Sequence, residues 1–292
     1  MLFSDRLTID QPFRAQLRRA KLDKVSKVLA CTGDRLAAWS RSSDTIWCRM
    51  PKGSSSVYIK RYHFPRWRQR FRGFFRGTFF KASRARNEYR TLLLMRQLGI
   101  HAVRPIAFGE RRVAHFLRSC FLITEAVPDA MSLSSFIRVF SHRCHGPKAI
   151  RVRREILTSL ARQIRRMHES GFVHRDLFWR NVLIRSLPDG LFEFHFLDAS
   201  VGKRIRMQQW RQDSIVRDIA AMGVLAPEFC TKAEQLRFLQ AYLETDRLRT
   251  EDRHWLREVQ RHSTSLRESE LRRLARGSVF DPPIWESAGA QS

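Results

Sequence analysis

Acidic residues are scarce in this chain. Asp and Glu number 28 in 292 residues against 55 Lys and Arg, leaving a formal net charge of +27. A field of that sign draws a protein toward polyanions such as nucleic acid, an anionic membrane face or a phosphorylated substrate, without choosing among them. Long apolar runs are also missing: no stretch reaches the roughly 18 consecutive apolar residues of a membrane-spanning helix. The five cysteines (Cys31, Cys48, Cys120, Cys144, Cys230) are scattered and include no C-x-x-C pair. That argues against a disulfide framework and fits a reducing compartment. The opening MLFSDRLTID carries acids and no apolar core segment, so no signal peptide is expected. One local group, His142-Arg143-Cys144-His145, has no second cluster to complete four ligands and reads as a basic loop rather than a metal site.

What remains is ordinary for a folded protein. The chain is 43% hydrophobic and 11% aromatic, long enough for one large domain or two lobes with a sizeable core. Residues 1–30 are basic and partly helix-like and read as an extension. Strand patterns follow in Thr45–Met50 and Val57–Lys60, flanking a hairpin loop at 51–56. A helix is expected over about 83–98, with Ala85, Tyr89, Leu92, Leu93 and Met95 at helical spacing and Gly99 as its stop. Two further strands are read in 103–109 and 120–124, then a break at Pro128-Asp129 and a long amphipathic helix over about 147–169. Short strands near 182–184 and 192–197 precede a mostly helical remainder, interrupted near Gly223–Pro227. Strands first and helices later define an α+β chain: a β-rich lobe over 31–127 and a larger helical lobe over 128–292.

The chemistry is carried by His174-Arg175-Asp176-Leu177-Phe178-Trp179-Arg180-Asn181. The pattern H-R-D-L-x-x-x-N fixes five identities in eight positions, and it follows a long helix and precedes two strands, as such a loop requires. Phosphoryl transfer needs a cation on the nucleotide phosphates, a group to place that cation, hard oxygens for Mg²⁺ and a base aimed at the acceptor hydroxyl. Lys60, ending a strand, suits the phosphates, and Glu88, in the next helix, could pair with it. Asp176 is placed to accept the hydroxyl proton. Asn181 and Asp198, seventeen residues apart, offer oxygens to Mg²⁺. Each element alone is weak: a strand lysine is usually solvated, a helix glutamate is usually a surface residue, and an aspartate after a strand can be a cap. Their order together is not.

These residues resemble the protein-kinase-like superfamily, whose fold is bilobal. The resemblance implies ATP and Mg²⁺ as cofactors and places Thr124-Glu125-Ala126-Val127-Pro128 at the interlobe hinge. There the Glu125 carbonyl and the Val127 N–H would meet adenine. Departures from protein kinases are plain. No G-x-G-x-x-G precedes Lys60; the phosphate cover falls to Ser40–Thr45 or Thr32-Gly33-Asp34. Asp198 is followed by Ala199-Ser200 rather than Phe-Gly, no A-P-E follows, and Phe178 stands where Ser/Thr protein kinases carry Lys. A nearer likeness is to the bacterial lipopolysaccharide core heptose/Kdo kinases. It rests on Val57–Tyr62, Ala85–Arg90, His174–Leu177, Phe196–Asp198 and a basic-aromatic insert, and covers roughly residues 35–245. It implies Asp176 as base, Lys60 and Glu88 as the phosphate-side pair, Asn181 and Asp198 on the metal side, and a core glycolipid as substrate.

The insert, residues 61–86, holds nine Lys/Arg, eight aromatics and no acid. Such a mixture suits single-stranded nucleic acid or an anionic lipid interface. Beside a kinase-like core without a nucleic-acid motif, an anionic membrane surface is the expected partner. The protein is therefore expected in the cytoplasm, on the cytosolic face of the inner membrane. Alternatives stay open: a protein Ser/Thr kinase, a kinase of another small molecule such as an aminoglycoside, or an inactive kinase-fold scaffold on membrane or RNA.

Overall fold

Alternation along the chain builds the N-terminal half. Among the described residues of this computed structural model (3–40, 42–51, 55–64, 82–113, 116–143, 146–275 and 279–280), the strands are β1 (Phe3–Ile9), β2 (Arg35–Ser40), β3 (Ser43–Cys48), β4 (Val57–His63), β5 (Pro105–Val113) and β6 (Phe116–Glu125). With β12 (Val279–Phe280) they form one antiparallel sheet, ordered β1-β5-β6-β4-β3-β2-β12. Successive strand residues face opposite sides of a sheet. In β4, Val57 and Ile59 enter a core with Phe13, Leu17, Leu22, Val25 and Val28, while Lys60 and Tyr62 share the other face. A one-residue slip of β4 would drive Lys60 into that core, so burial of Val57 and Ile59 fixes which side the lysine takes.

Residues 3–30 are partly helical as expected, but they also hold a strand that was not. They begin as a strand, with β1 paired to β5 from Phe3↔Val113 to Ile9↔Ala107. They continue as α1 (Arg14–Arg19) and α2 (Val25–Ala30), whose Leu17, Val25 and Val28 cover the sheet. Arg14, Arg18, Arg19, Lys24 and Lys27 stay exposed. The strand was hidden because its pairing partner lies about a hundred residues downstream, beyond any local pattern.

The helix α3 (Arg84–Gln97) starts where Ser83 Oγ accepts the Arg86 N–H at 3.1 Å. It stops at Gly99, whose φ of +74° lets the Ile100 N–H return to the Met95 carbonyl at 2.9 Å. By its contacts the chain forms two units, one of residues up to Leu94 with Val103–Val127 and β12, the other of Met95–Ala102 and the residues from Pro128 through the last helix.

The second unit is mainly helical: α4 (Leu133–Arg143), α5 (Pro147–Glu169), α6 (Gln208–Gly223), α7 (Ala226–Phe229), α8 (Lys232–Leu243) and α9 (Asp252–Ala275). The helix α4 fell in a stretch that the sequence reading left unassigned. In α5, Ile156, Leu160, Ala161, Ile164 and Met167 form the buried stripe of a 3.6-residue period. α5 packs on α8, and α6 on α9. Small sheets complete the unit: β7 (Met131–Ser132) and β10 (Phe192–Phe196) flank β9 (Val182–Ser186), and β8 (Phe172–Val173) pairs with β11 (Lys203–Arg204).

Candidate active site

In the first unit, Lys60 and Glu88 meet. The Glu88 carboxylate is 2% exposed, and a charge so buried needs compensation. Lys60 Nζ lies 3.5 Å from Glu88 Oε2, and Tyr62 Oη donates to the same oxygen at 2.9 Å. Tyr62 also lies beneath two cations, with Lys60 Nζ 5.5 Å and the Arg84 guanidinium 5.4 Å from its ring centre. The alternation that buries Val57 and Ile59 thus aligns Lys60 and Tyr62 on one acid. Sequence reading missed Tyr62; its signal was the period-two spacing from Lys60.

In the second unit, the run His174–Asn181 is anchored by a residue outside the motif. Asp218, on α6, is wholly buried. It accepts the backbone N–H groups of His174 at 2.7 Å and Arg175 at 2.6 Å, and its Oδ2 lies 3.3 Å from His168 Nε2. Arg175 has a φ of +66°, an uncommon conformation for a side-chain-bearing residue, and the paired bonds to Asp218 hold it there. The chain thereby turns His174 inward and Asp176 outward. His174 Nε2–H donates to the Leu197 carbonyl at 3.0 Å, since a carbonyl can only accept. The Leu197 N–H donates to the Asn181 carbonyl at 3.1 Å. These two bonds bring the residue before Asp198 against both ends of the motif.

Asn181 is oriented in turn. Its amide nitrogen donates to the Asp176 carbonyl at 2.8 Å and to Asp176 Oδ2 at 3.0 Å, so its own side-chain oxygen points elsewhere. Asp198 sits at φ +56° after β10. Burial pushes the Asp176 carboxyl above the usual aspartate range. Arg180 opposes that rise, the neighbouring Asp198 charge reinforces it, and His174 and Asn181 counter it. An amide oxygen and a carboxylate, as on Asn181 and Asp198, are among the hard donors that Mg²⁺ takes alongside substrate phosphates. Among the described residues no group of three or more His, Cys, Asp or Glu forms an all-protein metal cage. Of the His142–His145 cluster, Cys144 and His145 lie outside the described residues.

Arg180 adds a contact that the motif did not announce. Its guanidinium lies 4.1 Å over the Phe178 ring and donates to Asp176 Oδ1 at 3.4 Å and to Glu270 Oε1, on α9, at 2.8 Å.

The other expected residues occupy strand ends and turns. Glu125 closes β6, its N–H donating to the Arg104 carbonyl at 2.9 Å, and the Ala126 N–H donates to the Ser56 carbonyl at 2.8 Å. Val127 is the last residue of that segment of the first unit. Ser40 and Ser43 bracket the β2–β3 turn with their hydroxyls 2.8 Å apart. Asp44 is engaged by Arg61 at 2.5 Å and His63 at 3.0 Å. The alternative cover, around Gly33, is tied down by the bond from the Arg49 N–H to Asp34 Oδ2 at 2.7 Å. Of the basic-aromatic insert, residues 65–81 lie outside the described residues.

An antiparallel sheet whose Lys60 pairs with Glu88 of helix α3, followed by a helical unit bearing an H-R-D loop, is a protein-kinase-like fold. A solved structure, "WaaP in complex with acyl carrier protein", shares it with a TM-score of 0.61 at 20% identity, over 89% of this chain and 99% of that one. The model of the lipopolysaccharide kinase (Kdo/WaaP) family matches residues 37–242, and the chain belongs to that family. Among curated relatives, the lipopolysaccharide core heptose(I) kinase WaaP of Pseudomonas aeruginosa is 25% identical over 164 residues, 54% of this chain and 59% of the relative. WaaP of Escherichia coli (strain K12) is 29% identical over 94 residues, 32% of this chain and 34% of the relative. The matched regions therefore span only part of those relatives' lengths.

Proposed function

We propose that this protein is an ATP-dependent kinase that phosphorylates a sugar hydroxyl, of heptose or Kdo, in the lipopolysaccharide inner core. The observation that carries the reading is the Asp176–Asn181 pair beside Asp198, on a loop held by Asp218, in a chain of the Kdo/WaaP family. Asp176 takes the proton of the acceptor hydroxyl as its oxygen bonds to the γ-phosphorus, and the bond from that phosphorus to the β,γ-bridging oxygen breaks to release ADP. A carboxyl raised by burial is better matched to accepting a proton than an exposed one. Lys60, placed by Glu88, is assigned to the α- and β-phosphates; the backbone of Glu125 and Val127 is assigned to adenine. Asn181 and Asp198 are assigned to Mg²⁺, which when bound would offset charge on the phosphate oxygens. Incubation with labelled ATP and separate pools of core glycolipid and protein tests the reading. Label in the glycolipid supports it; label confined to protein overturns it.

Contact with an anionic membrane face belongs to the same proposal. Met207 and Trp210, three residues apart at the head of α6, are 57% and 64% exposed. Exposed Lys203, Arg204 and Arg206 precede them, Arg211 follows, and no acid lies between 199 and 212. Aromatic and basic groups so mixed suit the headgroup region, with about 1 kcal/mol per basic residue near an anionic surface. No helix among the described residues is long and apolar enough to cross a membrane. Flotation with anionic vesicles should fall in a Met207→Ser/Trp210→Ala variant. Flotation indifferent to anionic lipid would overturn the contact.

A second partner is an acyl carrier protein, which the solved neighbour holds in complex. Supporting it is an apolar cavity of about 220 Å³ lined by Leu133, Ile137, Leu160, Ile219, Leu239 and Val259, among others. Such a lining has the chemistry an acyl chain requires. Size-exclusion of the protein mixed with acylated and unacylated carrier tests it; no co-elution with either removes the partner.

A further inference from the structure

We infer that Glu270, on the C-terminal helix α9, is a positioning residue for Asp176 that acts by limiting Arg180 to one long contact with it. The inference rests on the reading of Asp176 as base. The Arg180 guanidinium donates to two carboxylates, more closely to Glu270 (2.8 Å) than to Asp176 (3.4 Å). Its plane is set by Phe178 at 4.1 Å, and Arg180 and Glu270 are each only 14% exposed.

The two oxygens of Asp176 are treated differently. Oδ2 accepts from Asn181 at 3.0 Å, whereas Oδ1 is met by Arg180 at the longer distance. Oδ1 is thus the oxygen best placed to receive a hydroxyl proton, and Arg180 is the group that could take its place. A guanidinium pairs with a carboxylate most strongly through two parallel N–H donors. Swinging Nη1 into an end-on fork with Asp176 competes with its shorter bond to Glu270. While Glu270 holds Nη1, that fork is disfavoured and Arg180 stays on one long contact to Oδ1.

Neither the loop motif nor the family match points to this residue. Glu270 lies 90 positions from Arg180, and α9 starts at Asp252, beyond the matched residues 37–242. It is nevertheless well placed for the role, because α9 packs along α6, the helix that carries Asp218. One helix pair therefore supports the loop from both sides: Asp218 through its backbone and Glu270 through Arg180.

The test uses the full chain, ATP–Mg²⁺ and core glycolipid, with thermal unfolding of every variant. Asp176→Asn is measured first; wild-type turnover there would remove the base assignment itself, whatever Glu270 does. With that variant inactive, Glu270→Ala should lower kcat by about ten- to a hundredfold, the scale of a small misplacement at a reacting centre. KM for ATP should stay within about twofold, since the phosphate-side Lys60 is untouched. Glu270→Asp should retain most of the activity and guards against a folding defect in the alanine variant. The decisive comparison is Arg180→Met/Glu270→Ala, which should turn over faster than Glu270→Ala alone, because no guanidinium remains to close on Asp176. Unchanged kcat in Glu270→Ala, or a double variant no faster than that single one, would overturn the inference.

Discussion

Replacing Asp218 by alanine removes the acceptor for the buried backbone N–H of His174 and the part-buried one of Arg175, and the partner of His168. A buried donor left without a partner costs about 1–3 kcal/mol. The two backbone groups therefore amount to at most about 2–6 kcal/mol, the part-buried Arg175 N–H contributing the smaller share, and His168 adds less, because imidazole can change tautomer. Water entering the vacated space would return part of the loss. The expected destabilisation is about 3–5 kcal/mol, at the upper end for single substitutions. Turnover should fall further than stability, because Arg175 holds its φ of +66° only while Asp218 grips it, and a left-handed residue relaxes once released. Asp218→Asn tests this directly: the amide offers one acceptor oxygen but sets an N–H₂ against the second backbone donor. It should lie between wild type and alanine in stability. Urea denaturation followed by far-UV circular dichroism, with kcat measured well below the transition, reads both effects. Stability within about 0.5 kcal/mol of wild type for both variants, with unchanged turnover, would refute the reasoning.

Other consequences follow from the same contacts. Lys60→Met should reduce turnover by about a hundredfold or more, the scale set by loss of one electrostatic donor in a catalytic site; unchanged ATP kinetics would remove Lys60 from the phosphates. Tyr62→Phe should cost roughly 1 kcal/mol of stability, because buried Glu88 loses the hydroxyl at 2.9 Å, and an equal Tm would contradict that. In α8, Glu234 accepts from Arg153 at 2.6 Å and closes a capping box with Thr231. The Arg153 guanidinium holds the Glu234 carboxyl below the usual glutamate range, against the opposing effect of burial, with Thr231 assisting Arg153. A carboxyl lowered by folding stabilises above its unfolded value and loses that contribution as pH falls through the folded one. Wild type should therefore lose stability relative to Glu234→Gln on acidification below about pH 4.3. Parallel stability–pH curves for the two proteins would sink that assignment.

The candidate site was legible where its residues are close in sequence or fixed by a short period. The run His174–Asn181 is local, and Asp198 follows at the end of a strand whose apolar pattern is unmistakable. Lys60 could be placed because Val57 and Ile59 alternate with it, and Glu88 because it falls early in a capped helix. Asp218 was harder: it stands between Val216 and the buried Ile219–Met222, and a lone acid there is a signal only once one asks which donors could satisfy it. Glu270 had no local signal, since an acid in an Arg-rich helix reads as solvated. β1 likewise depends on β5, about a hundred residues on. These partners are chosen by tertiary packing, which a reading of local period does not reach.

The central claim is that Asp176 serves phosphoryl transfer to an inner-core sugar. Mass spectrometry of core glycolipid incubated with ATP–Mg²⁺ and either wild type or Asp176→Asn tests it most directly. The account predicts a gain of one phosphoryl group on a heptose or Kdo with wild type and none with the variant. Equal phosphorylation by both proteins, or none by a wild type that phosphorylates protein instead, would contradict it.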